Sequence, residues 1–238
     1  MKKRRLKKFV PITFIILFLI GIVFSIFKIT EEKVNIVENN NIKKNIEEFI
    51  TVDSSEQVTV DFNKLKEQNS DVVAYIDVSN TDAKYVVVKG SDNDFYLRHN
   101  FNRGYNVAGW IFADYRNRFD GTDRNIIVYG HNMQDGSMFG SLKKIITSEW
   151  QNQEQEILFI TEYGTFKYKP FSVYIVDAED YYLRTDIDDE YIRTVSGRSY
   201  HNFGISITGS DDILTLSTCT GTGNKRIVLQ AKKVEQIG

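Results

Sequence analysis

The N-terminal 27 residues contain an apolar run that is long enough to cross a lipid bilayer. Six basic side chains lie within positions 2–8, and the 19 residues of Phe9–Phe27 carry no charge. As a helix, a run of that length spans ~28 Å, close to the hydrocarbon thickness of a membrane. A cleaved signal peptide would have a shorter apolar region that ends in small residues, whereas "KITE" follows here at 28–31. We therefore predict an uncleaved signal anchor.

The charges around this run predict its orientation and limit the partners of the remaining chain. Lys28 and Lys33 after the run are offset by Glu31 and Glu32, so the excess of positive charge lies before it. This places the N-terminus in the cytoplasm and residues 28–238 outside the cell. Six of the 30 basic residues precede the run, which leaves 24 against 32 acidic residues and a net charge of −8. A nucleic-acid-binding surface would be basic, so we expect no nucleic-acid partner.

Changes of composition divide the chain into four segments. Residues 1–8 form a basic cytoplasmic segment, 9–27 the anchor, 28–57 a polar stalk or linker, and 58–238 one folded domain. In the stalk, sparse apolar positions allow one short amphipathic helix. The exported part is long enough for a single domain with a sizeable core.

Short apolar runs separated by turn residues dominate the folded segment. We predict strands at 72–78, in "AKYVVVKG", "NVAGWIFAD" and "RNIIVYGHN", in a hairpin that turns near Tyr163-Gly164, and in "DDILTLSTC" and "KRIVLQAKKV". Helices are predicted after Asp61 as an N-cap, at 138–146, and within 186–204. Seven or eight short strands with few helices indicate an all-β barrel or sandwich that carries peripheral helices.

Cys219 is the only cysteine of the chain, and it closes the predicted strand "DDILTLSTC". A free cysteine is often a small buried hydrophobe, so ordinary packing is one interpretation. Outside the cell, however, an unpaired cysteine suggests intermolecular pairing or a reactive thiol. A nucleophilic thiol needs a base or a cation nearby, because its ordinary pKa of ~8.5 leaves it mostly protonated.

His131 and Arg226 are candidate partners for this thiol. His131 follows the apolar run "IIVYG", which gives it the same strand-end position as Cys219. Arg226 begins "RIVLQ" and would lie near the same rim if that strand pairs with the strand of Cys219. His99 and His201 lie in polar segments, where a solvated side chain is the simpler interpretation.

No metal or cofactor is predicted. One cysteine and three scattered histidines cannot make a zinc site. The acidic runs at 186–190 and 211–212 have oxygen ligands suitable for calcium, but a solvated acidic surface is the simpler interpretation.

The combination of "TLSTC", a downstream "RIVL" and "YGHN" roughly 90 residues upstream resembles the sortases, the membrane-anchored cysteine transpeptidases of Gram-positive bacteria. The resemblance covers about residues 60–235 and is greatest to class B. Segment 93–117 resembles the part before that class's catalytic histidine, the helix at 61–70 its extra N-terminal helix, and 181–204 its long helical connection. The resemblance implies a closed β-barrel of seven or eight strands with peripheral helices. One departure is the loop "TGTGNK" before the arginine, which is shorter than in class B.

The resemblance also implies a reaction. Cys219 would attack the carbonyl of a threonine in a C-terminal sorting motif, and an amine of the peptidoglycan precursor's cross-bridge would resolve the thioacyl intermediate. His131 would stabilise the thiolate and protonate the leaving amine, and Arg226 would hold the substrate chain or stabilise the oxyanion. The side chains implied to line the peptide groove are Ser217, Asn93, Leu97, Tyr182 and Leu183. The implied partners are surface proteins with a sorting motif, the precursor amine and the cell membrane.

Other interpretations remain open. A wall-directed L,D-transpeptidase also uses a cysteine and a histidine, but its "SHGC" pattern is absent here. A papain-like hydrolase has its cysteine before its histidine, and the order is reversed in this chain. A cysteine peptidase that only hydrolyses, and a membrane-anchored binding module in which Cys219 is merely buried, are the remaining alternatives.

Overall fold

The computed structural model of the chain describes residues 2–55, 57–178, 181–221 and 224–237, with side chains from Ile12 onward. It contains a long N-terminal helix, a small hairpin and a closed barrel with short helices around it. The helices are α1 (Lys2–Glu47), α2 (Phe62–Gln68), α3 (Ser148–Gln151) and α4 (Asp189–Gly197). The strands are β1 (Ile50–Val52), β2 (Val58–Val60), β3 (Val72–Val78), β4 (Lys84–Val88), β5 (Phe112–Ala113), β6 (Asn125–Tyr129), β7 (Ile157–Thr161), β8 (Gly164–Asp177), β9 (Ile213–Cys219) and β10 (Lys225–Ile237). Within these ranges, 3₁₀ helices lie at Phe95–Leu97, Gly140–Ile146 and Tyr181–Leu183.

Eight strands close the barrel in the order β10–β8–β7–β3–β4–β5–β6–β9. Most neighbours are antiparallel, and the parallel pairs are β4 with β5 and β6 with β9. Each strand of this sheet has a partner on both sides, so the sheet is a barrel and not a sandwich. The predicted fold class, a closed barrel of seven or eight strands with peripheral helices, is confirmed.

Apolar side chains fill the barrel, and a second apolar cluster lies outside it. This second cluster joins α4 to the outer faces of β8, β9 and β10 through residues such as Tyr174, Tyr191 and Val228. Because α4 covers this face, β9 is packed on both sides, and six of its seven residues are buried. The strand that ends in Cys219 is therefore fixed from inside and from outside the barrel.

Most predicted elements are present, and two differ in kind. The strand predicted in "NVAGWIFAD" is reduced to the two residues of β5, because Gly109 adopts a φ of +58° and Trp110 turns its indole to donate to a carbonyl of β4. The helix predicted at 138–146 is largely a 3₁₀ helix. Leu142 and Ile145 are both buried there, and a 3₁₀ helix places side chains three residues apart on the same face.

The N-terminal helix is longer than the sequence predicted, and it packs against the barrel. The apolar run and most of the expected stalk form one continuous helix, α1, which is the one helix among the described residues long and apolar enough to cross a membrane. Residues 12–30 are exposed or nearly so, whereas Asn35, Asn39, Ile42 and Ile46 are buried at the spacing of a single helix face. The segment predicted as a stalk thus belongs partly to the packed body, and the predicted segment boundaries stay a prediction.

Candidate active site

The carboxyl ends of β6 and β9 bring His131 and Cys219 to the same rim of the barrel. The two strands run parallel with Tyr129 beside Ser217, and the Gly130 N–H donates to the Ser217 carbonyl at 3.3 Å. His131 and Cys219 each lie two residues beyond that pair, so they leave neighbouring strand ends at the same level. The structure therefore brings together the two strand ends that the sequence singled out.

Glycine at position 130 lets the chain leave β6 close to the core. A β-carbon there would overlap the side chains of Ile111 and Phe139, which are both fully buried. A larger residue would therefore displace closely packed neighbours and shift His131. The Phe139 N–H donates to the His131 carbonyl at 3.0 Å and closes the loop that follows the strand.

A main-chain carbonyl orients the imidazole of His131. Its Nε2 lies 2.8 Å from the carbonyl oxygen of Leu97. A carbonyl oxygen only accepts hydrogen bonds, so Nε2 carries a hydrogen in both the neutral ring and the imidazolium. The contact with Leu97 thus leaves Nδ1 as the ring nitrogen that does not donate to this carbonyl.

Arg226 lies directly across from Cys219 on the neighbouring strand. β10 pairs antiparallel with β9, and the register sets these two residues side by side. Residues 220–224 join the strands, and residues 222–223 are outside the described part of the chain. Both side chains are half-buried, and the Arg226 guanidinium donates to the Lys225 carbonyl at 3.2 Å. A thiol and a cation thus share the rim without either being sealed in the core.

One cavity of about 370 Å³ is lined by every residue predicted for the site. These residues are His131, Cys219, Arg226, Ser217, Asn93, Leu97, Tyr182 and Leu183. Sequence reasoning missed five others that complete the lining, which are Phe112, Tyr129, Gly130, Ala178 and Thr218. The cavity has the size of a small-ligand site. The individual roles of the lining residues remain a prediction.

Tyr182 and Ser217 form a firmly packed part of the cavity wall. Their hydroxyl oxygens lie 3.2 Å apart, and both residues are buried. The Tyr191 hydroxyl of α4 donates to the Tyr182 carbonyl at 2.9 Å, and the Gln230 amide of β10 donates to that Tyr191 hydroxyl at 2.7 Å. The 3₁₀ helix that carries Tyr182 is therefore tied to α4 and to the barrel.

A buried carboxylate connects three parts of the same wall. Asp114 follows β5, is fully buried, and accepts from the Tyr129 hydroxyl at 2.7 Å and the Asn93 amide at 3.0 Å. Its ion pair with Arg116 measures 2.7 Å, and Arg116 donates onward to the Leu183 carbonyl at 2.8 Å. Asn93, Tyr129 and Leu183 all line the cavity, so Asp114 and Arg116 hold its wall in place.

The ionisation of Asp114 follows from these contacts. Burial raises its pKa, but hydrogen bonds from Arg116, Tyr129 and Asn93 lower it by more, so the pKa lies below the ordinary value of an aspartate. Sequence reasoning did not single out this residue. The sequence feature that could have identified it is a lone acidic residue directly after the apolar "WIFA".

The barrel and its cavity define a class of protein: a closed β-barrel with a cysteine and a histidine at the ends of adjacent parallel strands and an arginine across from the cysteine. A family model described as "Sortase domain" matches residues 76–234. The chain belongs to the sortase family, whose members are cysteine transpeptidases, and the predicted family is confirmed.

The similar proteins are named as class B members. Sortase B of Staphylococcus aureus is 32% identical, over 97% of this chain and 99% of its own length. Sortase B of Listeria monocytogenes is 31% identical, over 77% of this chain and 78% of its own length. The structure of sortase B from Bacillus anthracis matches with a TM-score of 0.76 at 30% identity, over 85% of this chain and 99% of that one. The structure from Clostridium perfringens matches with a TM-score of 0.70 at 34% identity, over 74% and 100%.

We predict that Asp114→Asn lowers the free energy of unfolding by about 2 kcal/mol at neutral pH, because hydrogen bonds to a charged acceptor are stronger than those to a neutral one. The folded pKa is depressed, so the carboxylate stabilises the fold above its unfolded pKa of ~3.9 and loses that contribution as the pH falls through the folded value. Urea unfolding of the detergent-solubilised chain should show the two proteins converging at acidic pH. Asp186→Asn, at an exposed position, is the control and should change little. If the difference in unfolding free energy between the two proteins is the same at every pH, the charge of Asp114 does not stabilise the fold.

Proposed function

We propose that this chain is a class B sortase-like cysteine transpeptidase at the outer face of the cell membrane. It cleaves a C-terminal sorting motif after threonine and transfers the protein to an amine of the peptidoglycan cross-bridge. The observation that carries this proposal is the single cavity shared by the half-buried thiol of Cys219, His131 and Arg226. Family membership and the similarity to proteins named Sortase B support it.

The first half-reaction forms a thioester. The Cys219 thiolate attacks the threonine carbonyl carbon, and the tetrahedral intermediate collapses as the carbon–nitrogen bond to the next residue breaks. His131 gives its proton to the departing amine, and Nδ1 supplies that proton because Nε2 is held by the Leu97 carbonyl. The C-terminal tail leaves, and the surface protein stays bound to Cys219.

The second half-reaction restores the thiolate. The acceptor amine attacks the thioester carbonyl and passes a proton to His131, and the carbon–sulfur bond breaks to release the joined product. If water attacked in place of the amine, the same site would act as a peptidase that only hydrolyses. The product formed in the presence of an amine therefore separates transfer from hydrolysis.

Arg226 acts on the substrate rather than on the thiol alone. Its planar guanidinium offers several donors in a fixed geometry, and its pairing with Cys219 between β10 and β9 supports a role next to the attacked carbonyl. It holds the substrate chain or stabilises the developing oxyanion, for which a single donor contributes ~3 kcal/mol.

The anchor places this chemistry outside the cell. The apolar part of α1 crosses the membrane once, the basic residues before it stay in the cytoplasm, and the barrel lies on the outer side. Surface proteins that carry a sorting motif and the peptidoglycan precursor are both available there.

We predict that Cys219→Ala abolishes cleavage of sorting-motif peptides while the fold is retained, because no other thiol exists in the chain. A fluorogenic peptide library with and without an amine acceptor measures cleavage, and mass spectrometry identifies transferred and hydrolysed products. Thermal unfolding shows that the variant is folded. Substantial turnover by the folded variant would contradict the assignment of Cys219 as the nucleophile. If the wild-type thiol does not react with iodoacetamide, a binding module is favoured instead.

The prediction for His131→Ala is a loss of cleavage by about 10²–10⁴-fold, the usual contribution of a positioned acid–base group. His201→Ala is the matched control, because His201 packs on Phe203 at 4.7 Å and does not line the cavity. Its kcat/KM should stay near the wild-type value. Equal losses in the two variants would mean that His131 is not the proton donor.

For Arg226→Lys we predict severe impairment rather than neutrality. Lysine keeps the charge, but it lacks the planar fork of donors that can bind two oxygens together. The measurement is kcat/KM for the wild type, Arg226→Lys and Arg226→Ala on one peptide at low and high salt. If Arg226→Lys retains most of the activity and the loss in Arg226→Ala depends strongly on salt, Arg226 acts only as a plain charge.

A further inference from the structure

The hairpin formed by residues 98–106, here called the rim hairpin, lies beside residues 35–39 of α1. Asn106 donates to the Asn35 carbonyl at 3.0 Å and to the Glu38 carboxylate at 3.1 Å. Asn39 donates to the Gly109 carbonyl, just after the hairpin, at 3.0 Å. These amide contacts bind the rim hairpin to α1 and so fix the position of the hairpin along the helix axis.

The rim hairpin binds α1 close to the end of the apolar run. Asn35 lies seven residues after Lys28, the first charged residue beyond the run. At the rise of an α-helix this separation is ~10 Å, and the headgroup region of a leaflet is itself about 5–8 Å thick. Tyr105 directly precedes Asn106, whose amide binds α1 at Asn35 and Glu38. The exposed side chain of Tyr105 therefore lies near the level at which the helix meets the headgroups.

Hydrogen bonds hold the rim hairpin together, and Tyr105 near its end is uncovered. The Asn100 N–H donates to the Gly104 carbonyl at 2.9 Å, and the Gly104 N–H donates to the Asn100 side chain at 3.0 Å. Phe101 anchors the turn in the core, while Tyr105 is 58% exposed. The ring of His99 packs against the edge of Tyr105 at 6.2 Å. A large aromatic side chain is thus presented outward on a well-ordered support.

The charge of the rim hairpin suits a phospholipid surface. The segment contains no acidic residue, and Arg98 is exposed, whereas the charge of Arg103 is paired with Asp71 at 2.8 Å. Tyrosine is enriched at membrane–water interfaces, since its ring is apolar and its hydroxyl is hydrated. Arginine adds an attraction to lipid phosphates.

We propose that the rim hairpin is a membrane-contact surface, with Tyr105 in the headgroup layer of the outer leaflet and Arg98 facing lipid phosphates. This inference rests on the membrane anchor of the proposed function. It explains the hydrogen bonds between Asn106 and α1, because a barrel fixed to its anchor helix keeps one face against the bilayer. Leu97, which lines the cavity and orients His131, comes directly before the hairpin, so the membrane contact also sets the height of the cavity above the lipid.

The test uses the full chain with Tyr105→Trp, reconstituted in vesicles of phosphatidylglycerol and phosphatidylcholine that contain a brominated phosphatidylcholine quencher. The native Trp110 and Trp150 are buried and give a constant background. Tyr163→Trp is the matched control. Tyr163 is equally exposed, at 66%, and its neighbour Glu162 shares a cleft with Glu48 beyond the far end of α1.

We expect bromolipid quenching of the introduced indole to be about threefold greater for Tyr105→Trp than for Tyr163→Trp, because only the former lies at the interface. Adding Arg98→Glu to Tyr105→Trp should reduce the quenching in phosphatidylglycerol vesicles, because it reverses a charge that faces anionic lipid. Equal quenching at the two positions in protein that co-floats with the vesicles would overturn the membrane-contact surface alone. Failure to co-float would overturn the anchor, and the membrane contact with it.

Discussion

The parallel pairing of β6 with β9 is the constraint on which the site depends, because it sets the ends of two strands that are distant in sequence at one level. Its register is specified by a buried polar pair: the Thr215 hydroxyl donates to the Asn125 side chain at 2.8 Å, on the outer face of the barrel beneath α4. A slip of one residue would break that bond and turn every side chain of β9 to the opposite face. The positions of Cys219 and His131 thus follow from a contact made beneath α4, well before either strand reaches the rim.

Around β6 and β9, the strands and the walls of the cavity are held by different kinds of interaction. β9 and β10 are held by apolar burial on both faces, inside the barrel and beneath α4. The walls formed by Asn93, Tyr129 and Leu183 are held instead by hydrogen bonds that converge on Asp114 and Arg116. Directional contacts of this kind fix the wall without filling the cavity, whereas apolar side chains would have closed it.

One stretch of chain connects the site to α1. Leu97 orients the histidine through its carbonyl, and the following residues bind α1 through the amide of Asn106 and the carbonyl of Gly109. Gly109 is required here, because its φ is +58° and a β-carbon would overlap the carbonyls of Tyr96 and Leu97. The same backbone therefore supports a catalytic candidate on one side and binds α1 on the other.

The sequence by itself determined the apolar run, most strands, the family and eight of the residues that line the cavity, because each follows from a local pattern: an uncharged run, alternating apolar positions, and short motifs such as those around Cys219, His131 and Arg226. Only the tertiary structure decided the order in which the strands pair around the barrel, that β5 is cut to two residues, and that the expected stalk continues as α1 and packs on the domain. It also decided that Asp114 holds the wall. Strand partners, helix docking and buried ion pairs join residues far apart in the chain, and their energies depend on burial and geometry that no local pattern contains.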